Sequence, residues 1–119
     1  MTAGASLDPG ALATLRALDA DNPGAFSGFV RMFIAEVPDL VRRIESASDA
    51  SDMGALAQAA HYLRSASLAL GATELAEVCY GLEHPQGNPD AVEREKHIDR
   101  LRHSVRDALL ALLMQVSQI

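Results

Sequence analysis

Apolar residues recur every three or four positions along most of this chain, and four stretches hold the pattern long enough to predict amphipathic helices. The first runs from Pro23 to about Ser48, with Phe26, Val30, Phe33, Val37, Leu40 and Ile44 on one face. Pro38 lies inside it, but the spacing continues past the proline, which predicts a kink or local break rather than an end. The second, from about Asp52 to Leu70, aligns Met53, Leu56, Ala60, Leu63, Ser67 and Leu70, and Gly71 stops it. The third, Thr73 to Glu83, aligns Leu75, Val78, Cys79 and Leu82, with Glu74 and Glu77 at its positive end. The last runs from Pro89 to about Val116 on Ile98, Leu101, Val105, Leu109, Leu112 and Val116. It also carries Leu110, Leu113 and Met114 off that stripe, to pack on another helix or to meet a partner. A shorter Leu12, Leu15, Leu18 pattern precedes all four and predicts a small helix from Pro9 to about Asp19.

Three helices share one opening, Asp8-Pro9, Asn22-Pro23 and Asn88-Pro89. An Asx side chain accepts from a first-turn amide, and proline fits the first helical position because no partner is needed for its missing N–H. Ser46 to Ser51 reads as a turn and His84 to Asn88 as a loop. No stretch alternates with the period of a strand. The expected fold is all-α, an antiparallel up-down-up-down four-helix bundle with a short extra N-terminal helix, forming a single domain over residues 1–119.

Composition narrows the function. Hydrophobic residues make up 49% and charged residues 22% of 119, enough for one packed core. A formal charge of −6 argues against nucleic acid or an anionic membrane as partner. Cys79 is the single cysteine, which removes any disulfide framework or cysteine metal cluster. The opening MTAGASLDPG has neither a basic nor an apolar leader segment, and no stretch reaches bilayer-spanning length. A cytoplasmic monomer is expected.

The chemistry centres on the second long helix. With Ala60, Leu63 and Ser67 at the middle of its buried stripe, 100° steps put His61 roughly 130° away, facing solvent. Gln58, Arg64, Ser65 and Leu68 surround it at helical spacing. An exposed imidazole on a rigid helix is a nucleophile, and a guanidinium one turn on can neutralise a phosphoryl group. Ser65 is small enough to let another protein approach. Read from geometry alone, His61 is more simply an ordinary surface histidine. Other groups carry less. His97 and His103 lie on different faces, so a shared metal is not expected, and His84 reads as a solvated loop residue. Cys79 lies on an apolar stripe as a core residue. Phe29 and Met32 are candidates for an exposed docking pair beside the His61 face, with bundle packing the competing reading.

The segment from His61 to Ala72, HYLRSASLALGA, resembles the signature of histidine-containing phosphotransfer (HPt) domains, H-x-L-K-G-S-[SA]-x-x-x-G-[AL]. Asp8-Pro9 before a Leu-rich helix, the Phe33 to Pro38 run, and Leu75, Cys79 and Leu82-Glu83 extend the likeness over about Leu7 to Leu113. Two positions depart from the pattern. Arg64 stands where Lys is usual, and Ser65 where Gly is usual, which narrows the approach to the imidazole. The resemblance implies a phosphorelay intermediate in which His61 accepts a phosphoryl group from a receiver-domain phospho-aspartate and passes it to another receiver. Arg64 would support that group electrostatically, Ser65 would govern access, and Gln58, Leu68, Phe29 and Met32 would meet the partner. The partners implied are receiver domains of response regulators or hybrid histidine kinases. The chain itself would need no cofactor, since the receiver carries Mg²⁺, and it would have no ATP site or autokinase activity. Two alternatives remain. One is a module of the same fold that docks or sequesters a partner without transfer. The other, a sensor-kinase dimerisation and phosphoacceptor hairpin, needs an acidic residue after the histidine, where Tyr62 stands.

Overall fold

A computed structural model describes residues 7–117, so residues 1–6 and 118–119 of the expected single unit lie outside it. Five α-helices follow one another: α1 Pro9–Ala17, α2 Ala25–Asp49, α3 Met53–Ala69, α4 Thr73–Glu83 and α5 Ala91–Ser117, with a 3₁₀ turn at Leu18–Ala20. The caps explain the boundaries. Asp8 Oδ2 accepts the Ala11 N–H at 2.9 Å, and Pro9 opens α1 as expected. Asp52 Oδ1 does the same for Ala55 at 3.1 Å. The other two Asx-Pro pairs do not cap. Helix α2 starts two residues after Pro23, behind Gly24 at φ 89°, and its first-turn amide at Phe26 is taken by Asp19 Oδ1 at 2.8 Å. Helix α5 starts after Asp90, whose Oδ1 accepts from Glu93 at 2.9 Å. In both cases an aspartate near the first turn supplies the acceptor, and the Asn-Pro pair stays in the turn.

Helix α2 runs unbroken through the exposed Pro38 and on to Asp49, so the turn expected from Ser46 begins only at Ala50. Each long helix packs on two neighbours, α2 on α3 and α5, and α4 on α3 and α5, which closes a four-helix bundle. Phe26, Val30, Ile44, Leu63, Leu75, Cys79, Ile98, Leu101 and Leu112 fill its centre. Leu12 and Leu15 rest against this core, but Leu18 is exposed, because the chain has left the helical path there. Helix α1 is pinned at both ends. The Asp8 N–H donates to the Gly71 carbonyl at 2.7 Å, and Arg16 lies 4.3 Å over the Phe26 ring while donating to Gln115 Oε1 at 2.7 Å. Gly71 is required twice over: its φ is 77°, and a Cβ would stand 3.0 Å from the Asp8 backbone. Leu110, Leu113 and Met114 stay exposed, so α1 does not cover them. Among the described residues no helix is long and apolar enough to cross a membrane.

The site depends on two helix rotations. Ala60, Leu63 and Ser67 turn fully inward on α3, the Ser67 hydroxyl donating to the Leu63 carbonyl at 2.6 Å, and this drives His61 outward. Leu75, Cys79 and Leu82 turn inward on α4 and leave Glu83 at the seam with α3.

Candidate functional site

The His61 side chain is 53% exposed, yet one face of its ring is held. Nδ1 lies 2.8 Å from Oε2 of Glu83, and the other oxygen, Oε1, accepts the Arg64 Nε–H at 2.8 Å. Glu83 itself is only 13% exposed. Its pKa reflects opposed causes. Burial is the largest single influence and raises it, but the hydrogen bonds from His61 and Arg64, and then their charges, outweigh burial and hold the carboxyl below its usual range. An ionised carboxylate can only accept, so His61 Nδ1 carries a proton towards Glu83, and Nε2 is the ring nitrogen turned away from it. Arg64 Nη2 comes within 3.5 Å of Nδ1, but with hydrogens on both atoms that approach is not a hydrogen bond. Both side chains lean on one carboxylate.

Arg64 is further confined by Tyr80, whose ring centre is 5.5 Å from its guanidinium carbon. Tyr80 also meets the His84 ring at 4.6 Å, and His84 Nε2 stands 3.8 Å from Glu83 Oε2. His84 is, as expected, an exposed residue at the start of the loop that follows α4, and it lies beside the site. Beneath them Cys79 is buried, and burial pushes its thiol up to about 12, with Arg64 opposing that shift and Glu83 adding to it. It is an inert core group at neutral pH.

An outward histidine on α3 of a helical bundle is the arrangement the HPt resemblance implies, and residues 28–118 match the family model described as Hpt domain. The chain belongs to the Hpt domain family. Membership carries a histidine phosphotransfer role in phosphorelay signalling, as a relay module rather than a kinase. Phosphotransferase RcsD of Escherichia coli (strain K12) is 34% identical to this Hpt chain over 83 residues, which is 70% of the chain but 9% of that protein. Histidine-containing phosphotransfer protein B (HptB) from Pseudomonas aeruginosa PAO1 shares the fold at a TM-score of 0.78, over 95% of this chain and 96% of that one, at 22% identity.

Within the Hpt bundle, Gln58, His61, Ser65 and Leu68 share the exposed strip of α3. Arg64 departs from it: its side chain is 26% exposed and turned towards Glu83 rather than out beside Nε2. Ser65 is exposed and makes no side-chain hydrogen bond among the described residues, so the ring is oriented by Glu83 and not by this hydroxyl. Phe29 and Met32 are exposed and line an apolar groove with Leu15, Phe33, Ala66 and Ala69, on the α2 side of α3. Gln58 borders a separate α2–α3 cleft with Arg43 and Tyr62. The residue that sequence reasoning missed as part of the site is Glu83. Its signal was an acid four residues after Cys79, continuing a buried stripe where a charge needs a partner.

Proposed function

We propose that His61 is the phosphoacceptor and that Nε2 is its reacting atom. The reading is carried by one observation, the 2.8 Å contact that commits Nδ1 to an ionised Glu83 while the ring remains half exposed. In the step proposed, Nε2 attacks the phosphorus of a receiver phospho-aspartate, the acyl P–O bond breaks, and the aspartate leaves as a carboxylate. The ring becomes cationic as the N–P bond forms, and Glu83 stabilises that developing charge through Nδ1–H. The receiver supplies Mg²⁺ for the phosphoryl oxygens, and positioning does most of the remaining work. Arg64 supports the reaction chiefly by fixing Glu83. Ser65 borders the route to Nε2, and Gln58, Leu68, Phe29 and Met32 offer contact surface to the receiver. Return transfer to a second receiver reverses the same step.

The test is incubation with a panel of phosphorylated receivers. We expect an acid-labile, base-stable phosphate on His61 and none on a His61→Gln variant, whose exposed position leaves the fold intact. Label on His84, His97 or His103, or label persisting in His61→Gln, removes the reading. Receiver binding without any label would favour a docking module that does not transfer.

A further inference from the structure

The apolar groove beside the His61 strip has one charged member. Phe29, Met32 and Glu36 follow one another at three- and four-residue steps on α2, so they form a single exposed strip. Ala66 and Ala69 give that strip a low floor on α3. The groove encloses about 350 Å³, and Glu36 is the only ionisable side chain on it among the described residues. We infer that Glu36 is a specificity-determining residue: the groove takes a receiver surface that sets a lysine or arginine beside apolar side chains, and Glu36 pairs with that cation. This rests on the receiver docking proposed above and names the chemistry the receiver must bring.

Glu36 differs from the acid that follows it on the same strip. Asp39 faces Arg43 at 3.0 Å and Arg42 at 3.7 Å. Glu36 makes no hydrogen bond or ion pair among the described residues. Arg43 shares a neighbouring cleft with it but is already committed to Asp39. In the free protein water solvates the exposed Glu36 carboxylate. Docking changes that. Phe29 is 44% and Met32 55% exposed, and a partner that buries them also strips water from Glu36, which lines the same hollow. A carboxylate desolvated without an opposite charge is strongly disfavoured. An acidic group brought there adds repulsion, and an apolar one leaves the charge unpaired. A cation alone replaces the lost water, so charge selects among surfaces that would all fill the apolar part.

The groove also lies within reach of any body seated on His61. Ala69 is eight residues along α3 from His61, roughly 12 Å, well inside the footprint of a standard interface of about 800 Å² per partner. A second copy of this chain is the poorer occupant, since it carries the same net charge of −6.

The test measures binding rather than labelling, so it does not depend on which atom accepts phosphate. Parent, Glu36→Gln and Glu36→Lys are titrated by calorimetry with the receiver that binds the parent most tightly in the panel above, and thermal unfolding checks that each is folded. We expect Kd to rise about two- to fivefold in Glu36→Gln and about ten- to thirtyfold in Glu36→Lys. Reversing one lysine or arginine of that receiver to glutamate should weaken binding to the parent and restore binding to Glu36→Lys, a rescue that a merely structural role would not give. Parental affinity in Glu36→Lys overturns the inference, and so does a loss that no charge reversal on the receiver restores. A parent that binds no receiver, or that forms dimers which Met32→Glu disperses, overturns it as well. Affinities that shift as expected while His61 takes no label would count against the acceptor assignment alone.

Discussion

At the seam of α3 and α4 one carboxylate gathers donors, Arg64 on one oxygen and His61 on the other, whereas at the seam of α2 and α5 one guanidinium gathers carboxylates. There Arg102 bonds Glu45 at 2.7 Å, Asp99 at 2.8 Å and Glu95 at 3.1 Å. Glu45 first, then Glu95, hold Arg102 still more firmly protonated than usual. The partners differ in kind. The partners around Arg102 are all carboxylates, Glu95 and Asp99 well exposed and Glu45 about a third exposed (31%), so each pair adds little, up to about 1 kcal/mol. Around Glu83 the carboxylate is mostly shielded, and one partner is a ring with a second nitrogen to spare. Both clusters tie helices together. Of the two, the Glu83 cluster is the one that holds an imidazole with a ring nitrogen turned away from the carboxylate.

That contrast breaks most decisively at the two hubs. Glu83→Ala should slow phosphate acceptance by about ten- to a hundredfold, the effect of losing a charge-assisted hydrogen bond. Glu83→Gln, which can still accept from Nδ1–H without the charge, should fall between parent and alanine. Arg102→Ala should leave transfer rates as they are. Equal losses at both hubs, measured with one receiver, would show that the bundle and not the carboxylate sets the rate.

Arg64 comes next. Because its Nε is bound to Glu83, Arg64→Ala should slow transfer by about tenfold, the lower end for a charged pair that is only partly buried. Arg64→Lys separates the two ways it could act. Lysine keeps the charge but not the Nε bond. A full parental rate in Arg64→Lys would mean that charge alone matters, and an intermediate rate supports fixation of Glu83.

The pH dependence of stability sharpens the same point. Glu83 is depressed in the folded protein, so what its ionised form contributes is complete above the unfolded value, near ~4.3, and fades as pH falls through the lower folded one. Denaturation of parent and Glu83→Gln should therefore differ most above that range and converge beneath it. A difference that grows on acidification contradicts the assignment.

The sequence made some of this legible and hid the rest for identifiable reasons. Helix α4 was bounded correctly from Thr73 to Glu83, and α3 within a residue, because their stripes are clean and Asp52 and Gly71 punctuate them. Helices α2 and α5 were begun two residues early because proline drew attention from the aspartates that reach their first turns. His61 was legible since its orientation follows from its own helix. Glu83 was not, because its meaning lies 22 residues from His61 and depends on how α4 is rotated against α3. Local periodicity says which face is buried, and it does not say what crosses a seam.

The smallest expected effect concerns Ser65, four residues after His61 on the exposed strip of α3. Two roles are open to its side chain, crowding of the incoming receiver or an orienting hydrogen bond. The structure gives the orienting role to Glu83 and leaves the Ser65 hydroxyl without a partner among the described residues, so only its bulk remains. Ser65→Gly should then speed transfer from a receiver by about two- to fivefold, less than ~1 kcal/mol of barrier. It should leave phosphorylation by phosphoramidate unchanged, since that donor is too small to meet the side chain. Glycine inside a helix costs roughly 0.5–1 kcal/mol relative to alanine, so the comparison belongs well below the unfolding transition. A slower receiver reaction in a fully folded Ser65→Gly protein would restore a positive role for the hydroxyl, formed only when the partner is bound.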